Sequence, residues 1–547
     1  MNQIVLWTSV VAGMISAARW LRVAQREHYG VGRTSRFARR WWLLDRNNRV
    51  LALAAAAGVV LSGTFWWAPA ITAAAVAVGP QGLDIRGRSS PLAWTRRLAT
   101  VATTLALLWA VLVGVGLLAG LAEPVVAALL FGMPLWVDVS LAMLAPLEAV
   151  LSRRWVRRAQ LRLDEVDPVR VAVTGSYGKT TIKGYLRELM AGSRAVVATP
   201  ASFNNTAGIC RSVNEHLVHG TEVFVAEMGT FAAGEIAAMT RWVRPSVSIL
   251  ASIGPVHLER FGSLDRIVAA KAEIFATSRT AILNVDAYGL GAEADRLAAS
   301  GLRVIRCSTQ DPGADVTVLP VNAPNNAPAS GPAGAMVNEA AVTRRITVFG
   351  REIAIGPLGG AAPANVACAV AAASVLGVSD ADIASRLGDL PTPEHRRTAG
   401  RSPGGVMVID DTYNSNPAGA RAALSMLANT DAGRRVVVTP GMVELGRSQA
   451  QENRQLGEHA AEIADDVIIV GRTNRIALLG GAAGWDRATA RRATRGRGAR
   501  NLIHDRTGDR ATVRCMASRE EAVSWVRAHL GPGDAVLYEN DLPDHYP

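Results

Sequence analysis

Lysine is nearly missing from this chain. Of 58 Lys and Arg side chains in 547 residues, three are lysine: Lys179, Lys183 and Lys271. Arginine holds almost every position where any positive charge serves. The three lysines therefore mark places where a broad, permanently charged guanidinium fails. Cysteine is scarce too. Cys210, Cys307, Cys368 and Cys515 are scattered, with no C-x-x-C spacing. This excludes a disulfide framework and a cysteine-bound zinc site, and leaves reduced thiols of the cytosolic kind. No internal repeat is present. Residues 99–121 contain no charge at all, which excludes the polar face of an ordinary surface helix.

What the chain has in excess is apolar sequence, 49% of all residues, and the excess is local. Residues 1–170 carry 19 Arg, no Lys and 9 acidic side chains, so +10 of the net +12 lies there. Apolar runs occupy 4–21, 50–79, 99–121 and 125–151, and a helix crosses a bilayer with about 20 such residues. The arginine-rich stretches 22–49, 86–97 and 153–162 are expected on the cytoplasmic side. Consistency then requires 50–79 to cross twice, turning near Ser62 to Pro69, and 99–151 to form a hairpin turning at Glu123-Pro124. The expectation is five spans with the N-terminus outside. A re-entrant pair at 50–79, or four spans with the N-terminus inside, satisfies the same charges. Met1-Asn-Gln3 lacks the positive charge of a signal peptide. The expected location is the cytoplasmic membrane, multi-pass, with the bilayer as partner and the rest of the chain in the cytoplasm. Arginines placed between apolar runs argue against a nucleic-acid partner. Linker-like composition appears at 311–334 and 488–500.

The first lysine sits in Thr174-Gly-Ser-Tyr-Gly-Lys-Thr-Thr181, between a strand-like run at 169–173 and a helix-like run at 180–191. Such a turn aims backbone N–H groups and a helix N-terminus at phosphate oxygens. Lys179 can reach the terminal phosphates and the Thr180 hydroxyl can hold Mg²⁺. Position 173 is Val, where the ordinary G-x-x-x-x-G-K-[ST] loop has glycine, so the turn alone fits any nucleotide-hydrolysing protein. Taken singly, the residues that follow have plain readings. Lys271 would pair with Glu273 or Asp265 on a helix surface, and His257 would be packed or capping. The segment 414–417 would be a turn. Lys183 shares a helix face with Lys179 and receives no assigned role.

The order of segments changes those readings. After the turn come Ser202-Phe-Asn-Asn-Thr-Ala-Gly208, Val223-Phe-Val-Ala-Glu-Met-Gly229 and Gly254-Pro-Val-His-Leu258. Next are Phe261-Gly-Ser263, Lys271-Ala-Glu-Ile274 and Asn284-Val-Asp286. Arg396, Asp410-Asp-Thr-Tyr-Asn-Ser-Asn-Pro417 and Gly441-Met-Val-Glu-Leu-Gly446 complete the series. Over roughly 169–535 this resembles the Mur ligase family, most of all the branch that adds D-alanyl-D-alanine to UDP-N-acetylmuramoyl-tripeptide.

The resemblance implies an α/β protein. A P-loop-type central ATPase domain with a parallel sheet would span 169–394, and a Rossmann-like α/β domain 395–547, behind a helical transmembrane region at 1–168. It implies that Gly175, Ser176, Gly178, Lys179, Thr180 and Thr181 bind ATP together with Asn204, Asn205, Asn284, Arg396 and Asp411. Thr180, Glu227, His257 and Lys271 would hold two Mg²⁺ ions, Lys271 after reacting with CO₂ to form a carbamate. Lys179, Glu227, His257 and Lys271 are then the catalytic set, and Tyr413, Asn414 and Asn416 line the substrate cleft. Mg²⁺ favours such oxygen donors, and a carbamate needs a neutral amine, which arginine cannot supply.

The resemblance breaks at both substrate-recognition ends. Apolar spans replace the family's soluble UDP-binding domain. Ser202, Cys210, Ala361 and His395 depart from its motifs, and the chain ends in Leu537-Tyr-Glu-Asn-Asp-Leu-Pro-Asp-His-Tyr-Pro547 instead of a Lys-Gly-Ser-Arg string. The expected activity is ATP-dependent amide-bond formation through an acyl phosphate. The carboxylate acceptor would sit on a lipid-linked or UDP-linked cell-envelope precursor, and the donor would be an amino acid or another amine. The UDP-linked reaction itself and polyamino-acid synthesis are the enzyme alternatives. A nucleotide-dependent transporter component or regulatory module is the alternative of another class. Against transport, there is no L-S-G-G-Q signature, and the strand after the loop ends in Glu227 rather than Asp.

Overall fold

The computed structural model describes residues 3–43, 46–83, 92–256, 258–321, 342–359, 361–391, 398–412, 415–485, 503–504 and 511–540. Its contacts divide the chain into one unit ending at Arg153 and another spanning Arg154–Leu542.

The first unit is helical: α1 (Gln3–Arg26), α2 (Arg33–Trp42), α3 (Arg46–Leu61), α4 (Ala68–Val78), α5 (Arg96–Leu118), α6 (Ala122–Phe131) and the first part of α7 (Met133–Val166), which continues past Arg153. Among the described residues three helices, α1, α5 and α7, are long and apolar enough to cross a membrane. The run at 50–79 reverses where expected, but α3 and α4 have only 16 and 11 residues, short of the roughly 20 needed for a full span. They approach closely at Gly58, where a side chain would overlap the Thr72 hydroxyl. The second reversal falls at Gly120, φ 69°, upstream of the expected Glu123-Pro124. The left-handed glycine ends α5, with Leu121 N–H donating to Gly116 O at 2.7 Å. Pro124 lies in the first turn of α6, where a missing N–H costs nothing. Buried charge in this unit serves helix ends. Arg19 donates to Val76 O (3.0 Å), Ala77 O (3.2 Å) and Gly79 O at the end of α4. Asp138 accepts from the Ser35 N–H at 2.8 Å and the Ser35 hydroxyl at 2.6 Å at the start of α2.

The second unit opens with β1 (Val169–Thr174), α8 (Lys179–Leu189), β2 (Val196–Ala198), α9 (Thr206–His216), β3 (Val223–Glu227), α10 (Glu235–Val243) and β4 (Val247–Leu250). It continues with α11 (Leu258–Phe261), α12 (Leu264–Ala272), β5 (Thr280–Asn284), α13 (Leu290–Ala299), β6 (Arg303–Ser308) and β7 (Val316–Pro320). Then follow β8 (Thr343–Val348), β9 (Arg351–Pro357), α14 (Pro363–Val375) and α15 (Asp380–Arg386). The nine strands order as β2-β3-β1-β4-β5-β6-β7-β8-β9, parallel through β7, with β8 and β9 antiparallel. Successive β1 side chains face opposite layers. Val171 and Val173 pack with Ile182 of α8 and with α14, whose residues Val366 to Ala373 are fully buried. Ala172 packs with Ile209 of α9, Ile236 of α10, Ile267 of α12 and Leu290 of α13. With both faces covered, the carboxyl ends of β1, β3, β4 and β5 meet at one edge, where sheets of this kind take ligands.

A second sheet holds β10 (Thr398–Arg401), β11 (Met407–Asp411), β12 (Arg435–Thr439), β13 (Asp466–Val470), β14 (Ile503–His504), β15 (Thr512–Met516) and β16 (Ala535–Glu539). Between its strands run α16 (Pro417–Ala428), α17 (Gln449–Ile463), α18 (Arg475–Ala482) and α19 (Arg519–His529). The order is β10-β11-β16-β12-β13-β15-β14, so β16 inserts between β11 and β12. Glu539 ends β16 with 0% exposure. It accepts from the Ser415 hydroxyl beyond β11 and from the Thr439 hydroxyl of β12 at 2.7 Å. Burial, with the Asp411 charge beside it, pushes its carboxyl up to about 7 despite those two hydroxyls.

Two measurements follow. In Gly481→Ala the new methyl would overlap the Arg454 carbonyl oxygen and lie 2.7 Å from Glu458 N, forcing α17 and α18 apart. A loss of about 3 kcal/mol in stability is expected, with Gly531→Ala, open to space within 4 Å, as the neutral control. For Glu539, the unfolded chain releases the proton near 4.5 and the folded protein only near about 7, so this group's contribution to stability falls as pH rises through that window. The stability of wild type relative to Glu539→Gln should drop by on the order of 3 kcal/mol from about pH 4 to about pH 8 in denaturant titrations. A difference flat in pH counts against it.

Candidate active site

The turn from β1 to α8 is held by β4's exit. Ser176 N–H donates to Ser252 O at 2.9 Å. The Ser252 hydroxyl accepts from Tyr177 N–H at 2.8 Å and donates to Tyr177 O at 2.9 Å. Gly254 N–H donates to the Ser176 hydroxyl at 3.0 Å. Gly178 precedes α8 at φ 80°, and a Cβ there would run into the Asn365 side chain at the start of α14. Both facts require glycine. The result is a braced loop that leads into the start of α8 at the carboxyl edge of the sheet, an arrangement that suits phosphate. Thr181 is buried in the first turn of α8. Asn284, at the end of β5, donates to Ala251 O at 3.1 Å and so braces the same edge.

All three lysines of the chain meet here. Lys179 Nζ donates to Gly175 O at 2.9 Å, and Lys271 Nζ donates to the same oxygen at 3.1 Å. Lys271 comes from the far end of α12 and is buried. Burial, and then the Lys179 charge, hold its amine well below the usual lysine range. It is therefore not the exposed partner of Glu273 or Asp265 that its isolated sequence suggests. Glu273 accepts from the N–H groups of Gly234 and Ala237 at 2.7 and 3.0 Å.

Glu227, at the end of β3, is the second centre. Its Oε2 accepts from the Thr180 hydroxyl at 2.9 Å and lies 3.1 Å from Lys183 Nζ. Its Oε1 accepts from Asn204 Nδ2 at 3.3 Å. Sequence reasoning left Lys183 without a role, and its four-residue spacing from Lys179 was the one signal available. Asn205 is placed differently from Asn204, as the N-cap of α9, accepting from Gly208 N–H at 2.9 Å. Asp411 ends β11, where its carbonyl accepts from Asn540 N–H at 3.1 Å. Asn416 caps α16, accepting from Gly419 N–H at 2.9 Å. His257, Arg396, Tyr413 and Asn414 lie outside the described residues.

Thr180 and Glu227 present oxygen donors only, beside a loop built for phosphates. Among the described residues no group of three or more His, Cys, Asp or Glu gathers as a metal cage. Such a sparse oxygen set fits Mg²⁺, which takes few protein ligands and fills its shell with phosphate and water oxygens. The residues present thus fit the ion the sequence implied.

Comparison with known proteins agrees with this arrangement. Residues 173–372 match the Mur ligase middle domain, and residues 395–538 match the Mur ligase glutamate ligase domain. The chain is 32% identical to the UDP-N-acetylmuramoyl-tripeptide–D-alanyl-D-alanine ligase of Mycobacterium bovis over 387 residues, covering 67% of this chain and 69% of that protein. The Bacillus subtilis protein of the same name is 26% identical over 316 residues, 55% of this chain and 62% of that one. A crystal structure of MurF from Acinetobacter baumannii shares the fold at a TM-score of 0.56 and 24% identity, covering 71% of this chain and 77% of that one. The phosphate loop, the carboxylate one strand away, the second α/β sheet and this shared sequence lead to one conclusion: the chain belongs to the Mur ligase family of ATP-dependent ligases that form amide bonds.

Proposed function

We propose that this ligase works at the membrane surface, joining an amine to a carboxylate of a cell-wall peptide precursor. The observation that carries the reading is the meeting of Lys179 and Lys271 on one carbonyl oxygen beside the Thr180–Glu227 pair. It brings together a phosphate-binding cation, a pair of oxygens suited to a metal and a buried amine whose charge burial disfavours. The three long apolar helices support anchoring, and the arginine-rich segments between apolar runs support a cytoplasmic catalytic unit.

A carboxylate acylates amines poorly, so it is first activated. Its oxygen attacks the γ-phosphorus of ATP, ADP leaves, and an acyl phosphate forms. The amine then attacks the carbonyl carbon, phosphate leaves with the acyl oxygen, and the amine nitrogen gives up a proton. The loop N–H groups and Lys179 hold the phosphates and oppose the charge that builds on the transferred group. Thr180 and Glu227 would hold Mg²⁺, whose chemistry here is neutralisation of phosphate charge. Lys271, as a CO₂ carbamate, would add oxygens for a second ion, with His257 as a further ligand. Arg396 and Asp411 would grip the nucleotide, while Tyr413, Asn414 and Asn416 would line the cleft where the amine enters.

The acceptor admits two readings. Anchoring favours a precursor held at the bilayer by a lipid. The names of the curated relatives favour a soluble UDP-N-acetylmuramoyl-tripeptide with D-alanyl-D-alanine as the amine. Phosphate release from ATP, assayed with UDP-linked or lipid-linked peptide precursors and a panel of amines, separates them. Hydroxylamine should trap the activated carboxylate as a hydroxamate only when precursor and ATP are both present. Hydroxamate formation without precursor would sink the ligase reading.

For the lysine, Lys271→Ala should lower kcat by about a hundredfold or more, with partial recovery on adding short-chain carboxylic acids. Wild-type turnover in the variant without them would dismiss the carbamate. For the anchor, the full chain should remain in the membrane pellet after alkaline carbonate extraction. Release into the supernatant would argue that the apolar helices do not span.

A further inference from the structure

Lys183 has no part in the chemistry above, yet it is one of the few lysines the chain retains and one of its most enclosed charges. Its side chain is 7% exposed and that of its partner Glu227 is 1% exposed. The ammonium lies 3.1 Å from Glu227 Oε2 and donates to Ala201 O at 2.6 Å. Ala201 adopts φ 41°, a left-handed conformation that costs a non-glycine residue energy, so the carbonyl that anchors Lys183 is held there by the surrounding loop. The Thr180 hydroxyl meets the same Glu227 oxygen. One carboxylate oxygen thus faces both the hydroxyl that would bind Mg²⁺ and a fixed ammonium.

We propose that Lys183 is a placeholder cation: it keeps Glu227 aimed at Thr180 before nucleotide arrives, and makes divalent-metal binding conditional on the phosphates. The inference rests on the reading of Thr180 and Glu227 as metal-binding oxygens. Its basis is the local charge balance. A divalent ion arriving alone meets one carboxylate whose charge Lys183 already offsets, with the Lys179 ammonium at Gly175 O nearby. Attraction and repulsion then nearly cancel. The phosphates of a nucleotide add several negative charges at the loop and engage Lys179, and the balance turns in favour of the metal. Lys183 can yield without leaving, because its flexible stem lets the ammonium lean toward Ala201 O. A guanidinium is planar and wide and could not fill this role between a carboxylate and one carbonyl. Loading metal only with nucleotide keeps the ion from occupying the loop in a form that cannot react.

The test uses Mn²⁺ as probe, read by the electron paramagnetic resonance of the free ion, on the full chain in detergent at about pH 8, where carboxylates are ionised. Wild type should bind Mn²⁺ weakly alone and at least about a hundredfold more tightly with ADP. Lys183→Met should bind Mn²⁺ without nucleotide about tenfold more tightly than wild type, since one nearby positive charge is gone, and should gain less from ADP. Lys183→Gln, which keeps polar contacts without charge, gives the same comparison if the methionine variant fails to fold. Equal Mn²⁺ affinity in wild type with and without ADP overturns the proposal, as does a Lys183 variant that binds the bare ion no better than wild type. Glu227→Gln separates the two levels of failure. Undiminished Mn²⁺ binding in its ADP complex would remove the metal-ligand reading itself. Weakened binding there, with no effect of the Lys183 variants, would remove the placeholder alone.

Discussion

Gly175 offers one carbonyl oxygen to two lysines, Lys179 at 2.9 Å and Lys271 at 3.1 Å, and the chemistry of the site depends on that crowding. Burial first, and then the Lys179 charge, hold the Lys271 amine well below the usual lysine range. The fold thereby eases loss of that proton, as it could not for an arginine in the same place. Ser252 and Gly254 brace the same loop through Ser176 and Tyr177. One peptide group thereby brings together two lysines, one of them deeply buried.

How much of this was legible beforehand depends on how local each cause is. The strand, the glycine turn and the helix after it were readable because their determinants lie within a few residues of one another, and β1 and α8 fall close to the expected bounds. Lys183 was not readable as a site residue. Spacing put it on the face of Lys179, but its burial comes from Ala201 and Glu227, 18 and 44 positions away. Glu539 was further out of reach. Its partners Ser415 and Thr439 are 124 and 100 positions away, and nothing in an apolar strand ending in Glu marks a carboxyl that burial will push up. In the apolar region, hydropathy located the runs but not the lengths of the helices within them. The reversal within 50–79 falls where expected, while the glycine stop at Gly120 is a decision of turn geometry.

The C-terminal sheet shows the same economy as the phosphate edge. β16 joins last yet sits between β11 and β12, so its end can reach the loops that leave both neighbours. Glu539 and Asn540 do so: Glu539 takes the hydroxyls of Ser415 and Thr439, and Asn540 donates to Gly441 O at 2.6 Å. The end of β16 therefore ties together the segments that follow β11 and β12.

The division of labour between arginine and lysine now has a structural basis. Where this chain must satisfy several carbonyls at a helix or strand end, it uses the guanidinium fork. Arg19 serves Val76, Ala77 and Gly79, and Arg475 serves Gly471 at 2.8 Å and Met516 at 3.1 Å. A fork presents five donors in a fixed plane and never loses its charge. At the nucleotide edge those properties become faults. Lys271 sits where burial disfavours charge, Lys183 fits between one carboxylate oxygen and one carbonyl, and Lys179 shares Gly175 O at the loop. Each of these places suits a compact, freely rotating amine better than a planar fork.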